Sequence, residues 1–211
     1  MTQSQTAEKG LLRAALAMVA MTALGAAGAE AHPHVWVTVE ATVLYNAKQQ
    51  VTGLKEYWSF DKAYSEYALD GLEKDAAGAY TPAAFVALAK ENMESLKDYN
   101  YFTEVYVEGE RVETAPPQNA VVVRDDKTIL HLTYVLPLKQ PLNIGSLKLS
   151  FLIYDPDFYI AFAFAEKDPV HLASGGPAGC AAKIEPPTGD PNTSKTWGSA
   201  YAATVVLGCG G

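Results

Sequence analysis

Between positions 34 and 60 the chain alternates apolar and polar residues at a period of two. Val35, Val37 and Val39 interleave with Trp36, Thr38 and Glu40, and Ala41-Thr-Val-Leu-Tyr45 continues the extended character. Residues two apart share one face of a strand, so this pattern predicts a strand with one buried side. Asn46-Ala-Lys-Gln-Gln50 reads as a turn and Val51 to Phe60 as the returning strand, giving a hairpin over 34–60. The period then changes. A helix is expected from about Asp61 to Leu72, with Asp61 as its N-cap. After a Gly/Ala-rich loop, Thr81-Pro82 has the cap-then-proline order that opens a second helix, with Phe85, Leu88, Ala89, Met93 and Leu96 on one face.

From Tyr101 short β segments return, each bounded by Gly, Pro, Asn or Asp: Phe102 to Val107, Ala120 to Val123, Ile129 to Val135, Leu147 to Tyr154 and Phe158 to Phe164. The tail from Gly175 to Gly211 is rich in Gly, Pro, Ala and Thr, with a short helix expected around Trp197 to Val206. A hairpin, then helices, then many strands is an α+β grouping, not alternating βαβ units. The expected architecture is a mostly antiparallel β-sheet or sandwich with two or three helices.

The first 31 residues follow a different logic. Lys9 and Arg13 give a basic start, Leu11 to Leu24 is an almost continuous apolar run, and Gly25-Ala26-Ala27-Gly28-Ala29-Glu30-Ala31 ends in an Ala-x-Ala pattern. These are the three parts of a secretory signal peptide, with cleavage expected after Ala31. The run is too short to span a bilayer comfortably. Residues 32–211 are therefore expected as a single domain, soluble in the periplasm. Export makes the two cysteines interpretable, since Cys180 and Cys209 would meet an oxidising compartment and form one structural disulfide. The formal charge of -8 and the lack of any Lys/Arg run argue against a nucleic-acid-binding surface.

Cleavage after Ala31 would leave His32-Pro33-His34 as the new start of the chain. An N-terminal histidine offers its free α-amine and its imidazole together, and a divalent cation can displace protons from both near neutrality. His34 adds a third nitrogen, on the same face as His32 if the strand begins at once. Pro33 excludes the terminal copper and nickel geometry that needs a deprotonatable second amide. Histidine nitrogen suits zinc, nickel, cobalt and copper. His131, within a strand, and His171, at a loop edge, are weaker candidates. Asp61, Asp155 and Asp157 stand among aromatics in Trp58-Ser-Phe-Asp-Lys-Ala-Tyr-Ser65 and Tyr154-Asp-Pro-Asp-Phe-Tyr159 and could complete a metal site. Asp61 and Asp155 are equally explained as an N-cap and a turn residue. No enzyme motif is present: there is no Gly-x-Ser-x-Gly, no His-Glu-x-x-His, no phosphate-binding glycine loop and no free thiol nucleophile.

His32-Pro-His-Val-Trp-Val37, Trp58-Ser-Phe-Asp-Lys-Ala-Tyr-Ser65, Tyr99-Asn-Tyr-Phe-Thr103, Tyr154-Asp-Pro-Asp-Phe-Tyr159 and Pro177-Ala-Gly-Cys180 occur in this order. The chain thereby resembles the exported family called domain of unknown function 1007, over essentially all of residues 32–211. The resemblance implies a periplasmic component of a metal transport system, partnered with a nickel/cobalt-type membrane permease, with some members tied to zinc. Many relatives carry a calcium-loop-like stretch between the two helices. The corresponding Glu73-Lys-Asp75-Ala-Ala77-Gly78-Ala-Tyr-Thr81-Pro-Ala-Ala84 keeps the glycine but has Ala at the fifth and twelfth loop positions. It lacks the bidentate carboxylate, so no calcium binding is expected. The leading expectation is a non-enzymatic carrier or accessory that exchanges zinc, nickel or cobalt with a membrane metal permease. A copper carrier or copper oxidase using the same terminal chelate is a second reading, and an assembly partner of the permease that binds no metal is a third.

Overall fold

The computed structural model describes residues 33–190 and 194–209. The signal peptide expected over 1–31, and His32, lie outside the described residues. Eleven strands and three helices form the described fold. β1 (Val35–Tyr45) and β2 (Val51–Phe60) pair antiparallel as the expected hairpin, with Thr38 opposite Ser59. α1 (Lys62–Asp70) follows, then α2 (Pro82–Leu96), which runs into a 3-10 turn over Lys97–Phe102. Asp61 and Thr81 cap the two helices through their side chains, as their sequence positions predicted. On α2, Leu88 and Ala89 are buried, and Phe85, Met93 and Leu96 pack against the core.

β3 (Thr103–Val107), β4 (Glu110–Val112), β5 (Gln118–Arg124), β6 (Leu130–Leu142), β7 (Leu149–Ile153), β8 (Ile160–Phe164), β9 (Val170–Leu172), β10 (Cys180–Glu185) and β11 (Thr204–Cys209) complete the strands. They divide between two sheets. The first has the order β5-β6-β2-β1-β8, with β9 also on β1, and the second β10-β11-β7-β3-β4. All pairings are antiparallel except those of β8 and β9, which run parallel to β1 along its second edge. The inner faces of both sheets contribute to one apolar cluster, from Val37, Leu54 and Leu132 on one side to Leu149, Phe151 and Leu207 on the other. Phe102 on Phe162 and Phe151 on Phe164 join the sheets ring to ring. The fold is thus an α+β sandwich of mostly antiparallel strands.

The tail corrects the expected helix over 197–206. α3 is a single turn, Trp197–Ala200, and Thr204–Cys209 is a strand in the middle of the second sheet. Thr204, Val205 and Val206 are β-branched, and Val205 and Leu207 bury fully on one face while pairing with β7 and β10. β4, β9 and β10 were also absent from the sequence reading. They are edge elements of three to six residues whose apolar alternation is too brief to stand out. The Cys180–Cys209 disulfide forms between directly opposed residues of β10 and β11.

One polar group crosses the core. Glu56 sits in β2 in phase with Leu54, Trp58 and Phe60, and is fully buried. Its carboxylate accepts hydrogen bonds from Trp58 Nε1 (2.9 Å), Tyr134 Oη (2.8 Å) and Thr103 Oγ1 (2.9 Å). Trp58 and Tyr134 belong to the first sheet and Thr103 to the second, so the carboxylate ties the two together. Removal from water disfavours its charge more than the three donors restore it, and its pKa is raised from 4.5 to about 7.

This sets a pH test. Because the folded pKa lies above the unfolded one, the native state holds the extra proton, and stability is greatest below about pH 4.5 and falls as pH rises through about 7. The shift corresponds to about 3 kcal/mol. Glu56→Gln removes that titration while keeping an amide in place of the acid. Urea denaturation at pH 5 and pH 8 should show the wild type losing about 3 kcal/mol relative to the variant. Parallel pH profiles would show that Glu56 does not titrate in this range.

Candidate functional site

The start of β1, the end of β2 and the turn before β8 meet at one end of the first sheet. Val35 lies opposite Ile160, and His34 N–H donates to Tyr159 O at 2.8 Å. On the other edge Asp61 N–H donates to Trp36 O (2.9 Å), and Trp36 N–H returns a bond to Asp61 Oδ2 (2.8 Å). The entry of the chain into β1 is therefore gripped from both sides. Since Val35 and Val37 point into the core, His34 and Trp36 point outward, and both are exposed. The His34 imidazole rests against the Tyr159 ring with centroids 4.6 Å apart.

His34, Asp61, Asp155 and Asp157 are thus brought to the same end of the sheet, but the aspartates are not equally available. Asp61 spends Oδ1 on Tyr64 N–H at the start of α1 and Oδ2 on Trp36 N–H. Asp155 is buried at 4% exposure and accepts from Asp157 N–H through Oδ1 and Ile160 N–H through Oδ2, both at 3.0 Å. These two carboxylates organise backbone, as the capping and turn readings of the sequence anticipated. Asp157 is exposed on the turn.

His131 is elsewhere. It lies opposite Ser59, and Ser59 opposite Thr38, which places it two strands, about 10 Å, across from β1 and about 13 Å further along than His34. Its Nδ1 pairs with Ser59 Oγ (2.8 Å), its Nε2 lies 3.4 Å from Asp125 Oδ2, and its ring stacks on Tyr57. One ion cannot be shared by His34 and His131 across that separation. His171 is exposed on β9, opposite Thr42.

Among the described residues no three His, Cys, Asp or Glu side chains converge as a metal site. His34 is the exposed imidazole at this end, and His32 lies outside the described residues. In the 73–84 stretch, Asp75 Oδ1 accepts from Ala77 and Ala79 N–H, closing a turn on its own backbone.

The tail reaches this end of the molecule, which the sequence reading did not anticipate. α3 lies against the 155–158 turn: Gly198 N–H donates to Pro156 O at 3.0 Å, and a Cβ at Gly198 would stand 1.7 Å from Asp155 O. Phe158 stacks on Tyr201 and contacts Trp197. Only glycine tolerates that approach. Gly198→Ala must displace either α3 or the turn that carries Tyr159, at a cost of about 1–3 kcal/mol in denaturant unfolding. Amide shifts at Asp155–Ile160 and at His34 should move with it. If both remain at their wild-type positions, the tail does not buttress this turn.

Two sheets packed face to face, with helices set on one of them, define the structural class, and the comparisons specify it further. The chain belongs to the family described as Protein of unknown function (DUF1007), whose family model matches residues 17–209. It is also similar to an uncharacterized protein of Haemophilus influenzae, 24% identical over 148 residues, a match spanning 70% of this chain and 69% of the relative. Among the described residues no helix is long and apolar enough to cross a membrane.

Proposed function

We propose that this protein is exported to the periplasm and, after cleavage following Ala31, acts without catalysis as a divalent-metal-binding accessory or carrier for a membrane metal permease. Zinc, nickel or cobalt is the cargo, with copper the alternative. The ligands are the α-amine and imidazole of His32 together with the imidazole of His34. The observation that supports this reading most is the placement of His34. It is exposed on the outer face of β1 one residue before the strand begins, and its backbone is fixed by Tyr159 while its ring lies on the Tyr159 ring. A fixed imidazole immediately after a new N-terminus lets a short chelate close with little further ordering. The disulfide agrees with an oxidising compartment.

The test is chemical editing of the terminus. One added Gly before His32 turns the amine into an amide of negligible basicity and keeps every side chain. Calorimetry with zinc, nickel, cobalt and copper in one buffer should show affinity for the preferred metal falling roughly tenfold to a hundredfold, and His34→Ala should do the same. His171→Ala should have little effect. Equal binding by the native-start and Gly-extended proteins would refute the terminal chelate, and binding of no metal would favour a metal-independent assembly partner.

Protons compete for the same nitrogens. Apparent affinity should weaken steadily from about pH 8 to about pH 6, where an α-amine and imidazoles titrate. A site built on Asp61, Asp155 and Asp157 would instead hold its affinity down to about pH 5, so titrations at pH 8, 7 and 6 separate the two donor sets.

A further inference from the structure

Beneath α1 and α2 the first sheet is left partly uncovered. α1 is only nine residues long and is fastened at its first turn, where Asp61 caps it and Ser65 Oγ accepts from Leu130 N–H. Its second half, from Tyr67 to Asp70, the Gly71-Leu72 that follows and the facing side of α2 stand apart as the walls of a cleft of about 540 Å³. The floor is core: Trp58, Leu132 and Leu88 line it and are each buried. A mostly apolar hollow of this size with a few polar groups at its mouth falls in the range of small-molecule sites. It contains none of the metal candidates discussed above.

The polar groups share one sign. Asp70 and Glu91 are the charged residues lining the cleft, and among its described lining none is Lys, Arg or His. Asp70 is the last residue of α1, and the helix has no basic residue in its final turn, so the negative end of the helix dipole adds to the same field. Half-buried Tyr64 and Glu91 both line the cleft, and burial and then the Glu91 charge hold the Tyr64 hydroxyl above its ordinary pKa. Tyr67, on the adjoining wall, is 80% exposed, with a ring face available to a cation. Asn92 and Ser95 add neutral hydrogen-bonding groups on α2.

We propose that this cleft binds a small organic cation, an amine or guanidine carried on an apolar body. The body lies on the half-buried apolar side chains Leu72, Leu96 and Ile160 and the charged head between Glu91, Asp70 and the tyrosines. Metal ions are not its occupant, because the two carboxylates open onto apolar surface that would oppose a hydrated ion. An anionic amphiphile would meet two like charges without a counter-ion.

A matched trio of probes tests the proposal on the chain starting at His32: 4-phenylbutylamine, 4-phenylbutanol and 4-phenylbutyrate. They share one apolar body and differ in charge at neutral pH. Ligand-detected NMR and calorimetry should rank the amine first, by roughly fivefold over the alcohol, with the butyrate last. Glu91→Gln, at an exposed helix position, should bring the amine close to the alcohol. Ser95→Trp, also exposed in the free protein, should obstruct the mouth and weaken all three, with circular dichroism confirming that α2 is retained. The proposal is overturned if none of the probes binds, if the butyrate binds as well as the amine, if the preference survives Glu91→Gln, or if binding survives Ser95→Trp. Zinc or nickel binding should be unaffected by either variant, so this outcome is independent of the terminal-histidine mechanism.

Discussion

The buried carboxylate of Glu56 is the constraint around which both sheets are arranged. A charge in an apolar interior is tolerated only when its lone pairs are engaged, and here three donors converge from three strands. The arrangement extends one step further. Thr103 Oγ1 and Tyr134 Oη also lie 3.0 and 3.4 Å from the carbonyl of Tyr101, so the same hydroxyls face two acceptors. Asn100, Tyr101 and Phe102 all have positive φ, a conformation that costs each non-glycine residue energy and is sustained only by its surroundings. The hydroxyls that bond Glu56 therefore lie at the strained turn that carries the chain from α2 into the second sheet, each with a single proton to place between the two acceptors.

That network was only half legible in the sequence. Alternation around Trp58 and Phe60 defined β2, and Glu56 stands in phase with its inward residues. A carboxylate in register with a core face is the signal that could have revealed it. Its partners could not have been read, because Thr103 and Tyr134 lie 47 and 78 residues away and contacts between such distant strands leave no local periodicity. The tail was misread for a related reason. Its Gly, Pro and Ala content suppresses the strand pattern, and β11 gains its place from β7 and β10 on either side rather than from local preference. By contrast, the hairpin, the caps at Asp61 and Thr81 and the disulfide depended on local chemistry or on the only cysteine pair, and were readable.

For the candidate site, the same division separates His34 from the aspartates. Three candidate segments far apart along the chain converge at one end of the first sheet, while His131 lies away from it. The sequence could not tell which side chains were already committed. Asp61 and Asp155 lie beside aromatics in both segments, yet each has both oxygens engaged with backbone N–H groups. Recruiting either carboxylate to a metal would release buried or helix-starting donors, a loss of about 1–2 kcal/mol for a cap alone.

Those commitments explain why an exposed histidine here can nevertheless be positioned. Asp61 couples the first turn of α1 to the backbone of Trp36, while Asp155 shapes the turn whose Tyr159 carbonyl receives His34 N–H. Gly198 then closes α3 over that turn from behind. Each aspartate thus acts through backbone geometry, and their combined effect is to fix the backbone of His34 and Trp36 where the chain enters β1. An unanchored terminus would pay the ordering cost of its backbone whenever a ligand bound, about 1–2 kcal/mol per residue. Here that cost is already met at His34 by folding. Asp61 and Asp155 at this end serve by holding its backbone in place.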